Sequence, residues 1–452
     1  MKIAIFVHCF FPDHFYGTET YTLNLAKNLR ELGHDAIVIS AVFAGERKND
    51  NLISYYEYDG IPVHVIDKNY IPNIRIKDTY YQQENLSVLK QLLIDIKPDI
   101  VHVTHLINHT AVLLEATHSL DIPTVATFTD FYGFCFNNKL EAADGSLCRG
   151  PNSMRTNCLA CVFKARSDRP EASTLDRYLG KYPISQMAAL FVRNLIRLSG
   201  WRTGKTAGFV LDITCRPDIL AYYYRYYRAV IAPTSFLRNA YEHNGLKVPI
   251  YDIKFGVDLS RKQKITRPED SPIRFGFIGQ MTAHKGVSIL VEAFSRLEKS
   301  KAELYLFGSE NQDLAYSKKL RQMANGYSVN FCGTFPKEDM PNVFANLDFL
   351  VIPSLWYENS PLVLLNSLAS KTPVIVSNVE GMTEFIDSGR NGFIFKMGSV
   401  DELEKILKKI IADPRKSLKM AETTEYLRTT RSMVGEVIKV YEDAMNGPQK
   451  PN

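Results

Sequence analysis

The sequence predicts an α/β protein of two doubly wound domains, each a parallel sheet covered by helices. Short apolar runs alternate with helical periods along the chain, and this cycle occurs as two separate sets. A polar, proline-bearing stretch at residues 251–272 divides them. The 452 residues, 45% of them hydrophobic, suffice for about two to three domains with real cores.

In the first set KIAIFVH reads as a strand, ETYTLNLAKNLRELGH as an amphipathic helix and AIVIS as a strand; DIVHVTH, TAVLLEATHSL and PTVATFT repeat the cycle. Strands that are apolar throughout are those buried on both faces of a parallel sheet. The second set runs from IRFGFIGQ through GVSILVEAFSRL, ELYLFG, SVNFCG, MPNVFANL and FLVIPS to PVIVS and TEFIDSGRNGFIF. The first domain is expected at 1–250, with a long irregular insertion at about 131–225, and the second at 251–431. The helical pattern SMVGEVIKVYEDAM, within 432–452, is expected to pack back on the first domain. Ligands of open parallel sheets gather beyond the carboxyl ends of the strands, so the two domains are expected to face each other across a cleft.

Charge and length of the apolar runs narrow the function classes. The net charge of +5, from 54 basic and 49 acidic residues, is too weak to point to nucleic acid. No uncharged apolar run approaches the roughly 18–20 residues that span a bilayer, and the first run is too short for a signal peptide. A cytoplasmic protein, soluble or peripheral at the inner membrane face, is the expectation.

Two strand-to-helix turns of the second set are built for anions. In WYENSPLVLLNSL, Ser360 reads as an N-cap and Pro361 as the first helical residue, which leaves the amides of Leu362 and Val363 and a positive helix end for a diphosphate. In GQMTAHKGVSIL, Lys285 stands before a helix opened by Gly286, where an ammonium is placed to pair with phosphate oxygens.

These turns, with FFPDHFYGTETYTLNLAKNLRELGHDAIVIS, APTSFLRNAYEHNGL, FGVD and PSLWYENSPLVLLNSLASKTPVIVSNVEGMTEFIDSGRNGFIF, resemble the retaining glycosyltransferases of family 4 over nearly the whole chain. The resemblance implies the GT-B fold of two Rossmann-like domains, the first binding acceptor and the second a nucleotide-sugar. It implies Glu358 at the donor-sugar hydroxyls, Asn359, Ser360, Pro361, Leu362 and Val363 around the diphosphate, and Asn366 at the nucleotide ribose. Gly17 is implied at the glycine-rich turn, and Thr129 and Asp130 near the reacting sugar. Four positions depart from the family: Asn366 replaces a Glu, Gln280 an Arg, Thr129 a His, and Tyr16 a Gly. A hydroxyl cannot titrate near neutrality as imidazole does. Asp130 is then left to orient or deprotonate the acceptor, with His105 and His109 as candidate substitutes.

Cys135, Cys148, Cys158 and Cys161 give C-x12-C-x9-C-x2-C in the insertion. Four thiols are the ligand set of structural zinc and equally of an iron–sulfur cluster; free thiols and disulfides remain the other readings. Catalysis itself is expected to need no cofactor. Further on, SQMAALFVRNLIRLSGWRTGK places Met187, Leu190, Phe191, Leu195 and Leu198 on one helix face with Arg193 and Arg197 on another, followed by Trp201, Arg202 and Lys205. A membrane-surface helix serving a lipid-linked acceptor has this form, and packing against the first domain is the alternative. The leading reading is a retaining hexosyltransferase of surface polysaccharide or glycolipid synthesis. A second is a non-catalytic relative that binds a nucleotide-sugar or glycan as a partner subunit, and a third is a nucleotide-sugar epimerase or phosphorylase on the same fold.

Overall fold

The computed structural model describes every residue except 47, 200–203, 259–261, 263, 265–267, 269, 270 and 448–452. The chain divides into two compact units, Met1–Lys254 with Arg431–Asn452 (unit 1) and Phe255–Thr430 (unit 2). Each is a sheet with helical crossovers.

Unit 1 holds strands β1 (Lys2–Phe6), β2 (Asp35–Val42), β3 (Ile53–Tyr58), β4 (Ile61–Asp67), β5 (Ile100–Val103), β6 (Thr124–Thr127), β7 (Ala229–Ala232) and β8 (Ile250–Asp252). Their order is β3-β4-β2-β1-β5-β6-β7-β8, parallel but for the β3–β4 pair. That order reverses at β1, and right-handed crossovers to either side place helices on opposite faces of the sheet. The central strands β1, β5, β6 and β7 are buried almost throughout, as their unbroken apolar runs require. The β3–β4 hairpin is a feature the apolar runs do not announce. It turns through Asp59 and Gly60, both at positive φ (51° and 75°), as a two-residue hairpin needs.

The stretch at 131–225 is not irregular: helices Thr156–Ser167, Thr174–Leu179, Ile184–Ser199, Lys205–Thr214 and Arg216–Tyr224 fill most of it. They enclose a core of their own around Leu159, Ala160, Val162, Val210 and Ile213. The apolar stripe of helix Ile184–Ser199 is not the face that packs there. Met187, Leu190, Phe191, Leu195 and Leu198 are exposed, Phe191 by 69% and Leu198 by 85%, whereas Ala189, Val192 and Ile196 turn inward. Small and β-branched side chains on the inward face let neighbouring helices approach, and the large ones are left outside. Trp201 and Arg202 lie outside the described residues. No described helix is long and apolar enough to cross a membrane.

Unit 2 holds β9 (Ile273–Ile278), β10 (Ala302–Phe307), β11 (Val329–Gly333), β12 (Phe349–Ile352), β13 (Val374–Ser377) and β14 (Gly392–Phe395), all parallel, in the order β11-β10-β9-β12-β13-β14. Phe275, Leu304, Phe349 and Ile375 of the sheet pack with Leu290, Val291 and Phe294 of one helix and Leu403, Leu407 and Ile410 of another. The order reverses between β9 and β12. The turns after these two strands therefore stand side by side at the topological switch point, where open sheets take their ligands.

Candidate active site

The two turns at the unit 2 switch point are tied together. Leu355 N–H donates to the His284 carbonyl at 2.8 Å, and the His284 ring lies 4.2 Å from that of Trp356. Gly286, the N-cap of helix Val287–Ser295, sits at φ +70°, and a Cβ there would come within 1.9 Å of the Pro353 carbonyl oxygen. Lys285, on the preceding 3₁₀ turn, is thus delivered to the second turn, where its Nζ donates to Glu358 Oε1 at 2.7 Å. The same oxygen accepts from Ser354 Oγ at 2.6 Å and Trp356 Nε1 at 2.9 Å. Burial pushes the Glu358 carboxyl up, but the Lys285 charge and these hydrogen bonds outweigh it and hold the group below its ordinary 4.5. It is a buried, ionised carboxylate.

The helix that follows begins one residue later than the sequence suggests. Pro361 is its N-cap, with extended ψ of 123°, and Leu362–Ala369 is the helix; Ser360 is not the cap but sits at φ +56°. Its N–H donates to the Gly381 carbonyl at 3.3 Å, while its hydroxyl is buried and has no partner among the described residues. The first intrahelical bond runs from Leu364 N–H to the Pro361 carbonyl, so the amides of Leu362 and Val363 stand ahead of the ladder. Asn359 lies in the same turn, next to Gly381, whose Cβ would come within 1.5 Å of the Glu358 carbonyl oxygen. Asn366, one turn into the helix, and Gln280, beside the end of β9, are both half-buried.

In unit 1 the corresponding switch point collects His8, Glu19, His105, Thr129 and Asp130. Ile107 N–H donates to His105 Nδ1 at 3.1 Å, which leaves the proton on Nε2, and that N–H donates to Asp130 Oδ2 at 2.9 Å. Asp130 Oδ1 accepts from Tyr132 N–H at 2.8 Å, so both carboxylate oxygens are oriented. Thr129 Oγ1 accepts from Thr18 Oγ1 at 3.1 Å, joining the first turn of helix Gly17–Glu31 to the end of β6. Gly17 opens that helix, and a Cβ there would meet no protein atom within 4 Å. His109 is no substitute base. It is fully buried, bonded through Nε2 to the Val7 carbonyl at 2.8 Å, and burial lowers it to about 4.

Two further residues here have no role assigned from the sequence: Glu19, which closes the glycine-rich turn, and His8. Glu19, buried in the first turn of its helix, receives His8 Nε2 and Cys9 Sγ on Oε1, each at 3.1 Å, and its Oε2 has no partner among the described residues. His8, 4.4 Å from His105 ring to ring, is driven well below its usual value by burial and then by the neighbouring histidines. The heptapeptide KIAIFVH ends on His8, and that position at a strand's carboxyl end was the available signal.

Residues 15–143 match the family model Glycosyltransferase Family 4, and residues 259–426 match Glycosyl transferases group 1. An uncharacterized glycosyltransferase of Methanocaldococcus jannaschii is 29% identical over 171 residues, 35% of this chain and 42% of its own. A lipopolysaccharide core biosynthesis glycosyltransferase of Rhizobium meliloti is 28% identical over 163 residues, 36% of this chain and 46% of its own. The match thus spans less than half the length of either relative. The crystal structure of Anabaena HepE in complex with UDP superposes with a TM-score of 0.63 at 16% identity, covering 98% of this chain and 100% of that one. With one family model seated in each unit and the two together taking in about two thirds of its length, the chain belongs to the glycosyltransferases of the group 1 and family 4 type and has their GT-B fold.

Proposed function

We propose that the protein is a retaining hexosyltransferase, which moves a sugar from a nucleotide-diphosphate donor to a glycan or lipid-linked acceptor in surface polysaccharide or glycolipid synthesis. The observation that carries this reading is the Lys285–Glu358 pair at the unit 2 switch point, beside the free amides of Leu362 and Val363 and the unpartnered Ser360 hydroxyl. Lys285 and the helix end stabilise the departing diphosphate without a metal ion, and Glu358 accepts from the sugar hydroxyls. In the reaction the bond from C1 to the diphosphate oxygen breaks. The acceptor oxygen bonds C1 on the same face, and its proton leaves to Asp130, which His105 holds in place. Uridine diphosphate sugars are the donors to try first, on the likeness to the UDP-bound structure. The exposed apolar stripe of helix Ile184–Ser199, flanked by Arg193 and Arg197, suits an anionic bilayer surface carrying the acceptor on the cytoplasmic side.

A panel of nucleotide-sugars with glycan and lipid-linked acceptors tests the proposal, with the anomeric configuration of the product read by proton NMR. Retention is expected, and Glu358→Gln is expected to lower turnover about tenfold to a thousandfold, roughly 1.4–4 kcal/mol of transition-state stabilisation, with nucleotide-diphosphate binding kept. An inverted product would contradict the mechanism. Donor binding with no transfer to any acceptor would favour the non-catalytic partner subunit instead.

A further inference from the structure

We propose that Cys135, Cys148, Cys158 and Cys161 hold one zinc ion as a tetrathiolate, and that this site braces the loop carrying Asp130. The four thiols come from three separate stretches of chain yet line a single cavity of about 20 Å³, together with Asn137, Glu141 and Asn157. No three of these sulfurs lie within the 4.8 Å that gathers the ligand atoms of His8, Cys9 and Glu19, so zinc would have to draw the thiols inward to reach its bond length of about 2.3 Å. Every cysteine of the cluster is a free thiol.

The surroundings are those a metal thiolate needs. Gly150 N–H points at Cys148 Sγ at 3.4 Å, from two residues further along a tight turn. Amide donors of this kind stabilise sulfur that carries negative charge. Cys158 and Cys161 stand three apart at the start of helix Thr156–Ser167, on one face and at its positive end.

A second, independent observation is the charge of Arg216. Its guanidinium is 3% exposed and donates to the carbonyls of Cys135 (2.9 Å) and Tyr132 (2.7 Å), and it lies over the Tyr132 ring. No carboxylate pairs with it among the described residues. A buried cation without a counter-charge is costly. Through its bond to the Cys135 carbonyl the Arg216 charge stands beside the cysteine cluster. Zinc bound by four thiolates has a net charge of minus two, toward which the Arg216 guanidinium is the unpaired charge, Arg155 being already paired with Asp218 at 3.0 Å. Binding displaces the four thiol protons to solvent, with no change of oxidation state. The brace follows from the chain: Cys135 N–H bonds the Phe131 carbonyl at 2.8 Å, Arg216 grips Tyr132, and Tyr132 N–H orients Asp130.

The test uses the full chain purified without air and without added metal. About one zinc per chain is expected, with release only when the thiols are blocked by a mercurial; cobalt exchanged into the site should show the absorption of a tetrahedral thiolate complex. Cys148→Ser and Cys161→Ser should each lower zinc content at least about fivefold, while Cys332→Ser leaves it unchanged. If the first two variants fail to fold, the zinc stoichiometry and cobalt spectrum of the parent still decide. Four thiols that titrate in the native, metal-free protein would overturn the proposal. So would disulfides among them, or iron and sulfide with visible absorption.

Discussion

Lys285 answers a buried carboxylate in this structure, and the donor reading asks it to answer a diphosphate as well. A short, charge-assisted bond to Glu358 Oε1 leaves two of its three ammonium protons for other acceptors. Lys285→Ala should therefore weaken nucleoside-diphosphate binding by ~1.5–3 kcal/mol, as for a lost hydrogen bond to a charged group, while binding of the bare nucleoside barely changes. Calorimetric titration of both ligands checks it, and equal losses for the two would make Lys285 a structural residue only. The variant also strips Glu358 of its main counter-charge. Because the folded carboxyl lies below its ordinary 4.5, its share of stability is present above that pH and is lost as pH falls through the folded value. Of these residues the sequence displayed the chemistry and not the connection. Lys285 and Glu358 were each recognisable from their turns, but that they pair follows from strand order, which brings residues 73 apart to one switch point. Ser360 misled because a serine before a proline is the common form of a helix start, whereas here the proline's extended ψ moves the cap forward by one.

At the level of elements, continuous apolar runs were enough to place β1, β2, β5, β6, β12 and β13, since a strand buried on both faces leaves that pattern whatever its neighbours are. Elements at edges leave weaker traces. The β3–β4 hairpin was marked only by Asp59-Gly60 between two alternating runs, and the helices of 156–224 are short, with an apolar content divided between a private core and the surface. Helix Ile184–Ser199 shows how far periodicity reaches. Its strong apolar stripe was legible, but only the packing of neighbours shows that the stripe faces outward. On the membrane-surface reading, Phe191→Glu with Leu198→Glu should abolish sedimentation with vesicles rich in anionic lipid, and neutral vesicles should bind the parent weakly. Both side chains are exposed, so the thermal stability of the variant should remain within about 0.5 kcal/mol of the parent. Vesicle binding that survives both charges would show that the stripe does not meet lipid.

Across the whole molecule, titratable burial is divided unevenly. Nine of the ten histidines belong to unit 1, and three of them are held neutral by burial: His102 down to about 3, His109 to about 4 and His8 well below 6.5. Unfolded histidines take up protons near pH 6.5, and these folded ones do not until far lower. Stability should thus fall as pH drops below about 6.5 and continue to fall toward the folded values, by up to about 1.4 kcal/mol per pH unit for each histidine. Hydrogen exchange at pH 7.5 and 5.5, corrected for intrinsic rates, should show β1, β5 and β6 losing protection while β9 and β12 keep theirs. Equal protection of unit 1 at the two values would contradict it. His102 also marks how unit 1 is completed. Its Nδ1 meets the hydroxyl of the fully buried Tyr441 at 2.6 Å, on helix Thr430–Asn446, which follows all of unit 2 in the chain. A ribosome releases the chain from one end, so unit 2 emerges as one uninterrupted stretch while unit 1 is still missing its last helix. Unit 1 must wait through some 176 further residues, with the Tyr441 slot open and His102 lacking that partner. The unit that is synthesised second is therefore the one that can be finished first, and a nascent chain paused before that helix leaves the Tyr441 slot beside the central strand β5 uncovered for whatever chaperone is near.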